Sequence, residues 1–92
     1  MLVKDRLYRQ AFDALFHVAR QAAMTALAAD DSRWGKLRRT LPKPFSERFR
    51  QIISTLHITY SYDGNYPKDQ VDEEFYHWQN KVSQFIQDLE RI

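Results

Sequence analysis

The sequence predicts an all-α protein, a small antiparallel bundle of three long helices with one short helix in a connection. Two of its stretches combine helical spacing of apolar residues with freedom from glycine and proline. Only two glycines and three prolines occur in 92 residues, too few for a many-stranded fold that turns about every ten residues. The chain is 43% hydrophobic and 28% charged, enough apolar material for one packed interior and too much for disorder. At roughly 100 to 200 residues per domain, it is expected to form a single domain over residues 1–92.

The first helix is predicted over 2–29, where glycine and proline are absent and alanine is frequent from Ala11 on. Arg6, Arg9, Gln10, Asp13, His17, Arg20 and Gln21 recur every few positions as one polar stripe, while Leu7, Ala11, Phe12, Leu15, Phe16, Val18, Ala19, Ala22, Ala23 and Leu27 make a wide apolar arc. An arc that wide buries against more than one neighbour, which marks the central helix of a bundle. Trp34, Leu37 and Leu41 then suggest a short helix capped by Asp31 or Ser32 and broken by Pro42 and Pro44. Phe45, Phe49, Ile52, Ile53, Leu56 and Tyr60 fit one face of a second long helix over 45–61, and Asp63-Gly64-Asn65-Tyr66-Pro67 turns the chain. The third long helix, over 68–91, carries a sustained heptad stripe of Val71, Phe75, Trp78, Val82, Phe85, Leu89 and Ile92. Asp69, Asp72, Glu73 and Glu74 crowd its start, where negative charge meets the positive end of the helix dipole.

Charge is unevenly distributed. Residues 1–29 carry +2, 30–44 carry +3, 45–63 are neutral and 64–92 carry −3. The basic half and the acidic last helix either attract one another or mark surfaces for different partners. Arg33, Lys36, Arg38, Arg39 and Lys43, near Trp34 and the tyrosines, are candidates for nucleic-acid contact through phosphates and ring stacking. With no cysteine there is no disulfide framework and no thiolate metal site. His17, His57 and His77 lie on three predicted helices without metal-ligand spacing, so no metal and no cofactor is expected. Asp13 and His17, with Arg20 beyond them, read as an ordinary pair on a helix surface. The charged start of the chain and the lack of an apolar run of about 18 residues predict neither signal peptide nor membrane span, hence a cytoplasmic location.

Three stretches carry a family resemblance. Tyr8-Arg-Gln-Ala-Phe-Asp-Ala-Leu-Phe16-His17-Val-Ala19-Arg20, Leu56-His57-Ile-Thr-Tyr60-Ser-Tyr62 with Asn65-Tyr66-Pro67, and Lys81-Val-Ser-Gln-Phe85-Ile86-Gln-Asp-Leu89 follow one another in an order that resembles the HEPN (higher eukaryote and prokaryote nucleotide-binding) domain. The similar branch comprises small proteins often encoded beside minimal nucleotidyltransferases. The resemblance spans about residues 7–90, with no counterpart of the family's first helix; His57 stands where an arginine is usual, and Tyr60-Ser61-Tyr62 replaces Ala-Asp-Tyr.

What the resemblance implies is a non-catalytic interaction module that pairs with itself or with a nucleotide- or RNA-handling partner, such as a nucleotidyltransferase-type protein. An alternative is an RNA endonuclease of a toxin–antitoxin or defence system. RNA-cleaving members use an arginine followed shortly by a histidine, and Arg50 and His57, with six residues between them, are the candidate pair. On an α-helix these two share a face two turns apart, a rise of about 10.5 Å, so a site would need two such pairs meeting across a dimer. A third alternative is a structural subunit of a larger complex. The heptad stripe and the broad first arc exceed what so small a bundle covers, which predicts a homodimer through Val71, Phe75, Trp78, Val82, Phe85 and Leu89 or through the first helix.

Overall fold

A computed structural model describes residues 3–29 and 33–91, and among these the fold is all-α, with no strand. Helix α1 runs Val3–Leu27, α2 Trp34–Thr40 and α3 Phe45–Ile52; α3 continues without a break into a π-helical segment, Ile53–Tyr62, and α4 runs Val71–Leu89. The long helices go up, down and up. Phe12 meets both Tyr60 and Phe75, whereas Phe16 meets Phe49 and His57. The chain from α3 to Tyr62 is therefore antiparallel to α1, and α4 returns alongside α1. At about 1.5 Å per residue, α1 spans nearly the whole 39 Å length of the molecule.

The wide arc of α1 is buried along its inner part, whereas Leu7 and Val18 are exposed. Phe12, Leu15, Phe16, Ala19 and Ala23 are buried, and they share one core with Phe49, Ile52, Ile53 and Leu56 of the second long element and with α4. Helix α1 ends where Ala28 adopts a left-handed conformation, φ 51°, and the Ala29 amide donates to the Met24 carbonyl at 2.9 Å. Arg33 holds the N-cap position of α2; Asp31 and Ser32, the expected caps, lie outside the described residues. Leu37 and Leu41 pin α2 against the core while Trp34 stays partly open.

Beyond shifts of one or two residues at helix ends, two features differ from expectation. The last helix begins at Val71 rather than near residue 68, because the backbone of 63–70 makes successive bends there and Gln70 holds the N-cap position. The second long helix reaches Tyr62 but changes pitch at Ile53. From there the backbone bonds span five residues rather than four, and the Asp63 amide, donating to Ile58 at 2.9 Å, closes the segment.

The α4 stripe requires the main correction. Val71, Trp78, Val82, Phe85 and Leu89 are buried and Phe75 is half-buried within the single chain, so these residues are core and not free interface surface; Ile92 lies outside the described residues. The physical reason is that α1 and α3 pack onto α4, with Phe12 against Phe75 and both Phe45 and Phe49 against Phe85. No helix among the described residues is long and apolar enough to cross a membrane.

Candidate functional site

A group of chemically versatile side chains sits where α1 faces the π segment. Asp13 and His17 are one turn apart on α1, and Asp13 Oδ2 lies 3.0 Å from His17 Nε2. The other oxygen, Oδ1, lies 2.8 Å from Nδ1 of His57 on the π segment. One carboxylate thus holds two imidazoles. Because a carboxylate only accepts, each ring turns a protonated nitrogen toward it, which fixes Nε2–H on His17 and Nδ1–H on His57. The nitrogens left over, Nδ1 of His17 and Nε2 of His57, are the ones able to accept or pass on a proton.

Packing holds the cluster in place. The His57 ring stacks on Phe16 at 4.5 Å between centroids, Trp34 of α2 presents an edge at 6.3 Å, and the two imidazoles are 6.5 Å apart. Arg20, one turn beyond His17, lies over the Phe16 ring at 6.0 Å, and its Nε is buried without a hydrogen-bond partner.

The ends of the seam are tied as well. Arg9 Nε donates to the Ser61 carbonyl at 2.7 Å, and its Nη2 donates to the Tyr62 carbonyl. Its guanidinium passes over Gly64, whose φ of 69° suits glycine and where a Cβ would approach Arg9 Cζ to 3.0 Å. The buried Tyr66 hydroxyl donates to Asp5 Oδ1 at 2.5 Å. That bond, aided by Lys68 and Arg9, lowers the Asp5 carboxyl below its usual range; burial, with the Asp5 carboxylate, pushes Tyr66 up to about 12.

The residues singled out in sequence fall in several places. His57 is bound to Asp13, whereas Arg50 is exposed and its guanidinium is hydrogen-bonded to Glu47 on its own helix. Donation from Arg50 lowers the Glu47 carboxyl, helped by the charges of Arg38 and Lys43, and Glu47 in turn raises Arg50. The pitch change at Ile53 means that seven residues no longer make two whole turns between Arg50 and His57. The five basic candidates divide. Arg33, Lys36 and Arg39 line a cavity of about 500 Å³ with Arg20, Trp34 and Gly35, while Arg38 and Lys43 lie toward Glu47. His77 is exposed on α4, and among the described residues no cluster of His, Cys, Asp or Glu is arranged to hold a metal ion.

Sequence reasoning missed the link between Asp13 and His57, which are 44 positions apart, and missed Arg20 as part of a cavity. The Asp13–His17 spacing is visible in the sequence; a third member arriving on a π-helix has no periodic signature. No family model, curated protein or solved structure matches this chain.

Proposed function

We propose that the chain is a non-catalytic, HEPN-like interaction module, a small subunit that pairs with itself or with a nucleotide- or RNA-handling partner. The observation that carries this reading is the commitment of Arg50, the candidate cation, to Glu47 on its own helix rather than to a group shared with His57. General acid–base work on a phosphodiester needs base and cation within short reach of one group. Incubating the purified protein with RNA, beside His57→Ala and Arg50→Ala variants, tests it. No cleavage by any of the three is expected; cleavage by wild type that both substitutions abolish overturns it.

Self-pairing is supported by the outer side of α1. Every exposed residue from Leu7 to Ala26, namely Leu7, Gln10, Ala14, His17, Val18, Gln21, Thr25 and Ala26, lacks a carboxylate, ammonium or guanidinium. Leu7 is 57% and Val18 51% exposed, and Val18 adjoins a groove shared with Ala22, Ile86 and Leu89. An uncharged helix face of this length is a natural helix-packing surface. Sedimentation at micromolar concentration is expected to give about twice 11.1 kDa, with Val18→Glu moving it toward the monomer. A wild-type monomer at high concentration overturns this part.

The ribonuclease reading is favoured by one observation, the Asp13 carboxylate on Nδ1 of His57. That contact orients the ring and leaves Nε2 as a base; the cleavage assay decides between the two.

A further inference from the structure

We propose that the cavity between α1 and α2 is a binding site for a small phosphate-bearing ligand, with Arg20 and Arg39 as its anion contacts and Trp34 as an aromatic wall. The volume, about 500 Å³, is that of a small-molecule pocket, too small for a folded partner. Apart from Trp34 and Gly35, every described residue lining it is cationic: Arg20, Arg33, Lys36 and Arg39.

One further feature points to an acceptor entering it. Arg20 Nε is buried without a hydrogen-bond partner, and a buried donor left so is costly, which an oxyanion against the guanidinium would relieve. Gly35 is the second residue of α2 and contributes no side chain to the cavity wall. A Cβ there would meet nothing nearer than Arg39 Nη1 at 3.7 Å, an ordinary contact. Packing does not require glycine at this position, and without a side chain Gly35 leaves the wall beside Trp34 low. Trp34, 38% exposed, leaves part of its indole face for a ring or apolar portion of the ligand. The site is separate from the uncharged face of α1, since Arg20 and Val18 are two residues apart and so point to opposite sides of the helix.

The test is a titration of the intact protein with inorganic pyrophosphate, followed by calorimetry and by Trp34 emission, with sodium chloride at matched ionic strength as control. Trp34→Phe identifies which tryptophan reports. Saturable binding is expected, weakened about tenfold in Arg20→Gln and in Arg39→Gln. Arg39 is exposed, so its variant keeps the test sound even if Arg20→Gln disturbs the fold. A nucleoside diphosphate as a second probe separates the sources. Tighter binding than pyrophosphate assigns Trp34 to a base, and equal binding assigns the site to polyphosphate alone. No saturable binding of either probe, or arginine variants that titrate like wild type, overturns the proposal, as does binding of an RNA oligonucleotide alone.

Discussion

The two long sides of α1 are built on different principles. Toward the π segment it makes directional bonds: Asp13 to His57, Arg9 to the carbonyls of Ser61 and Tyr62, and Asp5 to the Tyr66 hydroxyl that follows the turn. Toward α4 it offers side chains that fill volume, with Phe12 against Phe75 and the small Ala22 beside Ile86 and Leu89. The first side specifies register, because a bonded pair tolerates little sliding. The second contributes apolar burial. Placing the polar ties beside the one element with abnormal pitch is mechanically sensible: a π-helix is rarely favoured by itself, so its position has to be held from outside.

The comparison predicts that a cavity on the α4 side unfolds the whole molecule, while a lost tie on the other side loosens one element. The largest effect is expected from Leu89→Ala, which removes a buried side chain between α1 and α4. A loss of about 2–4 kcal/mol is expected in urea denaturation, with hydrogen exchange accelerating throughout the core. Exchange confined to α4 would break the comparison.

Gly64→Ala comes next. It forces a left-handed conformation on alanine and pushes a Cβ toward Arg9, at a cost of about 1–2 kcal/mol. Amides of 58–65 should lose protection first, and equal loss in α4 would show that Arg9 is not a local clamp.

Asp13→Ala removes the shared acceptor of His17 and His57. All three groups are partly exposed, so the expected loss is only about 1 kcal/mol. The informative readout is the imidazole resonances: both rings should shift together on substitution. A shift of one ring alone would mean that the carboxylate does not bridge them.

The smallest effect is a pH dependence at the end of the same seam. Asp5 is lowered in the fold, so its contribution is present above the ordinary carboxylate value and is lost as pH falls through its folded value. Tyr66 is raised, so its contribution is present below the usual tyrosine value of about 10 and is lost as pH rises toward about 12. Thermal melts of Tyr66→Phe should differ from wild type between these limits and converge with it at the acid end. A constant difference at every pH would assign the effect to packing and not to the Asp5–Tyr66 bond.

Much of this architecture is legible in the chain. The spacing of Phe12, Phe16, Ala19 and Ala23 identifies the inner face of α1; Leu37 and Leu41 mark the short helix, and the stripe from Val71 to Leu89 identifies the apolar face of α4 but not what covers it. The polar stripe of α1 is misread by the same logic. Arg9, Asp13 and Arg20 look like a solvated face, yet they are half-buried against the π segment and α2, while Leu7 and Val18, counted in the apolar arc, are left exposed. Periodicity reports which residues share a face; it does not report which neighbour arrives there. The candidate site is illegible for that reason. His57 has an α-helical neighbourhood in sequence, and its meeting with Asp13 and Trp34 depends on the pitch change at Ile53 and on where α2 crosses.

By itself the sequence determined the helical elements apart from the π pitch of Ile53–Tyr62, the punctuation between them and their apolar faces, because these follow from local propensity and from apolar spacing within a few turns. Only the tertiary structure decided that α4 spends its stripe inside the monomer, that one carboxylate bridges two imidazoles, and that Arg20 joins α2 around a cationic cavity. Each of these joins residues far apart in the chain. Such contacts depend on pitch, crossing and register, which arise from packing the elements together and leave no periodic trace in any one of them.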